Sequence, residues 1–123
     1  MEKKNIDWAA LGFGYHQTDK RYVSYYKDGA WDEGALTEDA NITLNECAGV
    51  FQYAQTCFEG LKAYTTEDGR IVVFRPDLNE ARMHDSCKRL EMPTLPKGRF
   101  VEAVKAVVKA NEAYVPPYGS GAT

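Results

Sequence analysis

Two arginines in one stretch are the residues best suited to carry chemistry. Arg82 and Arg89 lie seven positions apart in a segment of helical pattern, nearly two turns, and so share a face. A guanidinium offers a rigid fork of donors that fits the oxygens of a phosphate. The same spacing suits a plainer role. Asp85 follows Arg82 by three and precedes Arg89 by four, which favours intrahelical ion pairs, and spacing alone prefers these. Tyr53, Phe58 and Tyr64 add aromatic rings around Phe58-Glu59-Gly60. Such rings pack a core, or they form a flat apolar wall beside a ligand, with Gly60 letting the backbone come close. Spacing does not decide between the two.

The remaining candidates are weaker. His16 and His84 are the only histidines, and neither has a partner spaced for general-base or metal work, so a surface or structural role is read for both. Gly12-Phe13-Gly14 and Gly119-Ser120-Gly121 could cradle a phosphate with backbone N–H groups. Neither has the full spacing of a dinucleotide or P-loop site. Cys47, Cys57 and Cys87 form an odd, widely spaced set without a CxxC or metal-ligand pattern, and read as buried, reduced thiols. No metal site is expected.

These residues must be positioned by elements the pattern also suggests. Tyr22 to Tyr26 reads as a strand, closed by Asp28-Gly29 before Ala30-Trp31, a type I′ hairpin signal because both turn positions need positive φ. The polar stretch from Glu33 to Ala40 reads as a loop, and Ile42-Thr43-Leu44 as a short strand. A second hairpin runs from Cys57 to Tyr64, turns through Asp68-Gly69 and returns along Arg70 to Phe74. Pro76 suits the first position of a helix, with Asp77 and Glu80 at the positive end of its dipole. That helix runs to about Glu91, since Pro93 pushes Met92 out of the α region. After Pro96, residues Phe100, Val101, Val104, Val107, Val108 and Asn111 fall at spacings of three and four and form one stripe that faces a core. Val115-Pro116-Pro117 ends it, leaving residues 118–123 as a loose tail. Hairpins followed by a helix pair predict an α+β fold, an antiparallel sheet with helices packed on one face.

The chain has 123 residues, 44% of them hydrophobic, and a net charge of −3. That suits one domain able to bury roughly 65% of its unfolded surface. The charge gives no footprint for nucleic acid or an anionic membrane. No stretch reaches the roughly 18 apolar residues of a membrane span, and Met1 to Trp8 lacks a secretory h-region. The cytoplasm is the expected compartment.

The run Tyr53-Ala54-Gln55-Thr56-Cys57-Phe58-Glu59-Gly60-Leu61-Lys62-Ala63-Tyr64 resembles a segment of the branched-chain amino-acid aminotransferases. At that family's spacing follow Phe74-Arg75-Pro76-Asp77-Leu78-Asn79-Glu80-Ala81-Arg82-Met83 and then Ser86-Cys87-Lys88-Arg89-Leu90-Glu91-Met92-Pro93. Phe13-Gly14 with Thr18-Asp19, and Val115-Pro116-Pro117-Tyr118, also fit, so the resemblance covers nearly the whole chain. It implies a class IV transaminase of the D-amino-acid-aminotransferase-like fold, dependent on pyridoxal 5′-phosphate and active as a homodimer. Such enzymes move an amino group between leucine, isoleucine or valine and 2-oxoglutarate in branched-chain amino-acid biosynthesis. Residues 1–123 would be its N-terminal small domain, truncated before the last strands, with the C-terminal cofactor-binding domain absent.

By position the resemblance gives Arg82 to the cofactor phosphate, against the ion-pair reading. It gives Phe58 and Gly60 to the substrate pocket and Tyr53 to the partner's active site across the dimer. The Schiff-base lysine and the carboxylate that meets the pyridine nitrogen belong to the later domain, so no catalytic residue is expected in this chain. One departure is His16-Gln17, where many relatives carry an aromatic residue. Two alternatives stand beside this reading. One is a D-amino-acid aminotransferase or aminodeoxychorismate lyase of the same fold, although the long extension through Trp31 and the Phe74–Arg82 wording favour the branched-chain type. The other is a non-catalytic small-ligand or interaction module, separable by whether the gene continues into a domain with an active-site lysine.

Overall fold

Turn residues decide how the first third of the chain folds. The structure is a computed structural model that describes residues 2–122. Its first strands are β1 (Arg21–Val23), β2 (Tyr26–Lys27), β3 (Ala30–Trp31) and β4 (Ala35–Thr37). Asp28 and Gly29 have φ of 52° and 84°, the pair of positive angles that a type I′ turn needs. At this tip Tyr26 pairs with Trp31, and their rings meet edge-on at 5.4 Å. Further back β1 pairs with β4, with Val23 opposite Ala35 and Tyr22 opposite Leu36.

Between the two ladders the register slips by one residue, so Glu33 and Gly34 together oppose Ser24, a β-bulge. Asp32 holds it. One carboxylate oxygen accepts from Ser24 Oγ at 2.8 Å, Tyr25 N at 3.0 Å and Gly34 N at 2.9 Å. The Ser24 hydroxyl first, then these amides, keep the Asp32 carboxyl below its usual range.

The Glu33–Ala40 stretch is therefore not a plain loop, since it contains β4. Three residues are too few for alternation to show. Ile42-Thr43-Leu44, by contrast, is not a strand: both apolar side chains are exposed and no ladder includes them.

The second hairpin joins β5 (Ala63–Thr65) to β6 (Ile71–Val73). Gly69 N donates to Thr66 O at 2.9 Å, and Gly69 takes φ of 83°, the three-residue loop in which a turn is followed by a left-handed glycine. Pairing starts only at Ala63, not at Cys57. Residues 55–60 are tied to a helix and its C-cap instead, through Gln55 Nε2 to Leu90 O at 2.9 Å and Asn79 Nδ2 to Gly60 O at 3.2 Å. The described residues thus hold the expected antiparallel pairing as three two-stranded ladders.

Three helices complete the fold: α1 (Gly49–Tyr53), α2 (Pro76–Arg89) and α3 (Arg99–Ala110). The short α1 was not foreseen. Pro76 opens α2 as expected, with Asp77 in its first turn. Its end is a Schellman motif: Met92 N donates to Cys87 O at 2.8 Å and Glu91 N to Lys88 O at 3.3 Å, with Glu91 at φ of 54°. The stripe of α3 lies against the ladders, where Phe100, Val104 and Val107 share an apolar pocket with Tyr22, Ala63 and Val73. Asn111 closes the stripe, buried with both ends of its amide used. It accepts from Lys20 N at 2.9 Å and donates to Lys20 O at 2.8 Å, taking the place of a neighbouring strand.

The fold is α+β, but its core is thin. Among the described residues only Cys87, Asn111, Ala113 and Val115 are buried. The chain exposes 9256 Å², against about 6,600 Å² for a compact monomer of its mass. No helix among the described residues is long and apolar enough to cross a membrane.

Candidate functional site

The segment that leaves α1 carries Phe58-Glu59-Gly60 across the outer side of α2. Asn79 and Arg82 stand one turn apart on that helix and so meet the segment together. The Glu59 carboxylate lies between them. Arg82 Nε donates to Oε1 at 2.5 Å and Nη2 to Oε2 at 2.7 Å, while Asn79 Nδ2 donates to Oε2 at 2.8 Å. Only 3% of the Glu59 side chain is exposed, against 68% of Arg82. The Arg82 hydrogen bonds, ahead of the one from Asn79, hold the Glu59 carboxyl below its usual range and raise the guanidinium in turn.

This two-toothed clamp fixes the plane of the guanidinium. It engages Nε and Nη2 and leaves Nη1 without a hydrogen bond among the described residues, on a side chain that is 68% exposed. The arrangement can present a planar, always-charged donor set to an anion. The helical ion-pair reading does not survive: the partner of Arg82 is Glu59, not Asp85, because a sheltered carboxylate reaches both teeth of the fork.

Phe58 and Gly60 flank the clamp in sequence, and the Phe58 ring folds back over the glycine. A Cβ on Gly60 would lie 3.3 Å from Phe58 Cε1, a tight contact that the ring could relieve by shifting a few tenths of an ångström. The outer face of that ring is bare, with Phe58 88% exposed. Phe74 is also exposed. Tyr53, the last residue of α1, is exposed too and has no hydrogen bond or ring contact with this group among the described residues. The chain therefore brings together Arg82, Phe58 and Gly60 through one tripeptide and one helix face, and leaves Tyr53 pointing outward by itself.

Glu59 and Asn79 are the site residues that sequence reasoning missed. Glu59 is separated from Arg82 by 23 positions, beyond any helical periodicity. The available signals were a carboxylate set between an aromatic residue and a glycine, and an asparagine three residues before the arginine.

The other candidates resolve simply. His16 packs edge-on against Tyr114 at 6.1 Å, while His84 Nε2 is buried with no hydrogen-bond partner among the described residues. Gly119 and Gly121 have positive φ and line a cleft with β5 and Tyr114 that does not include Arg82. Cys47 is exposed and only Cys87 is buried, which corrects the reading of three buried thiols.

No family model matches the chain. Curated relatives do. A branched-chain-amino-acid aminotransferase of Haemophilus influenzae is 51% identical over 120 residues, 98% of this chain and 35% of that protein. Its counterpart in Helicobacter pylori is 43% identical over the same shares. A methionine aminotransferase of Arabidopsis thaliana is 45% identical over 118 residues, 95% of this chain and 33% of that protein. The chain thus spans about a third of the length of the curated relatives it matches, and the match is to their N-terminal part.

Proposed function

We propose that this chain is the N-terminal small domain of a pyridoxal-phosphate-dependent transaminase that exchanges the amino group of leucine, isoleucine or valine with 2-oxoglutarate. Similarity to branched-chain aminotransferases along nearly the whole chain supports the family. The observation that carries the site is the orientation of Arg82 by Glu59, with donors left over for a phosphate.

The residues present fit the cofactor's phosphate end. A phosphate dianion needs a cationic donor in a fixed plane, and Arg82 is one. Bound pyridoxal phosphate supplies an electron sink for the substrate's α-carbon. The chain's own work is binding and exclusion. Arg82 fixes the phosphate, Glu59 and Asn79 hold Arg82, and the Phe58 face with Gly60 forms an apolar wall that suits a branched side chain and keeps water off it. Tyr53 projects from the surface, where it would reach a partner subunit. The lysine that handles the α-proton and the acid at the ring nitrogen would come from another domain, since no lysine here matches that position.

The exposed area in excess of a compact monomer, about 2,600 Å², supports packing against that domain and a second subunit in a homo-oligomer. A cytoplasmic enzyme acting on amino acids and 2-oxoacids follows from the same reading. Because a methionine aminotransferase is among the relatives, the side-chain preference within this class rests on residues outside the chain as well.

Phosphorus NMR of pyridoxal phosphate titrated with the chain tests the site. The native chain is expected to shift the resonance with about millimolar affinity, and Arg82→Gln to abolish the shift. An equal shift with both would contradict the assignment.

A further inference from the structure

Two sulfurs the proposed reaction does not use lie side by side beneath the site. Cys57 Sγ is 3.8 Å from Cys87 Sγ and 3.9 Å from Met83 Sδ. Cys57 sits on the irregular segment before β5 and is partly exposed, while Cys87 is buried on α2. The exposed Cys47 makes no such contact among the described residues. We propose that Cys57 and Cys87 are a modification site: a thiol pair that closes to a reversible intramolecular disulfide when it meets a small-molecule disulfide.

The geometry supports it. A disulfide needs its sulfurs at about 2.05 Å, so the pair must close by under 2 Å. Cys57 can supply that movement by side-chain rotation on a segment with no ladder hydrogen bonds to break. The order of events follows from access. Cys57, as thiolate, attacks one sulfur of the small disulfide, breaks its S–S bond and releases one small thiolate. Cys87 then loses its proton and attacks Cys57 Sγ. This expels the second small thiol and leaves the Cys57–Cys87 bond. Two protein thiols are oxidised by two electrons and the small disulfide is reduced to two thiols. Burial, aided by the Cys57 contact, pushes the Cys87 thiol up to about 11. Burial shields Cys87 from bulk reagents, and the sulfur within its reach is Cys57 Sγ at 3.8 Å. The bond would tie Phe58-Glu59-Gly60 covalently to the helix that carries Arg82, whatever ligand that site takes.

The test uses the full 123-residue chain and glutathione disulfide, followed by non-reducing peptide mass spectrometry. The expected product joins the peptides of Cys57 and Cys87, has lost two hydrogens, and reverts with dithiothreitol. It should form about tenfold or more faster in the folded chain than in concentrated urea, where pairing with Cys47 competes. A Cys57→Ser chain should take up glutathione at Cys47 while Cys87 stays unlabelled. Separate glutathione adducts on Cys57 and Cys47 with no cross-link would overturn the proposal. So would a cross-link that forms no faster in the folded chain, or labelling of Cys87 in Cys57→Ser as fast as Cys47.

Discussion

Glu59 converts Arg82 from a long, exposed side chain into an oriented one. An unrestrained arginine loses roughly 2 kcal/mol of rotamer entropy when a ligand orders it, and a clamp made during folding removes much of that cost from binding. The carboxylate also cancels charge, so the clamp trades field strength for geometry. Its pH dependence has a definite sign. The folded carboxyl titrates below its ordinary range because of the Arg82 hydrogen bonds. The stability it contributes is therefore fully present above about pH 4.3 and is lost as pH falls through the lower folded value. Urea midpoints of the native chain and Glu59→Gln should differ at neutral pH and converge as the pH falls through the lowered folded value of Glu59. A difference that persists unchanged in acid would mean the pair does not stabilise the fold.

At the scale of elements, the bulge at Glu33–Gly34 aims the first hairpin. It turns the strand so that Trp31 Nε1 reaches Thr94 O at 2.9 Å and Arg99 Nη1 reaches Asp32 O at 2.7 Å, which docks the hairpin on the entry to α3. Gly34 has φ of 69° and no room for a Cβ beside the Tyr22 ring. Gly34→Ala should therefore cost about 1–3 kcal/mol in urea unfolding, and an unchanged midpoint would contradict both the steric and the backbone argument.

The elements legible in the sequence were those with a chemical stop or start: Asp28-Gly29, Gly69, Pro76 and the valine stripe of α3. Those missed depend on distant partners. β4 is strand only because β1 lies opposite, and residues 57–62 have no strand partner but meet α2 through Glu59 and Gly60 O. The site divides in the same way. Arg82, Phe58 and Gly60 stood out by motif, whereas Glu59 and Asn79 acquire a role only when the segment crosses the helix.

For the whole molecule the deciding quantity is exposed apolar surface. Phe58, Phe74 and Tyr53 are each more than 80% bare, and bare patches of this kind drive association. Light scattering of the chain at tens of micromolar should show a dimer or larger species. A clean monomer would mean that these faces are tolerated in water.

The proposed division of labour gives this chain the phosphate and the substrate wall and leaves the proton-transferring lysine to another domain. It is tested most directly by mixing the chain with pyridoxal phosphate, leucine and 2-oxoglutarate and following glutamate. A solvated lysine near pKa 10.4 is mostly protonated and does not substitute for an activated one. Glutamate should form no faster than in the cofactor-only blank. Turnover above that blank, abolished by substituting a single lysine of the chain, would contradict it.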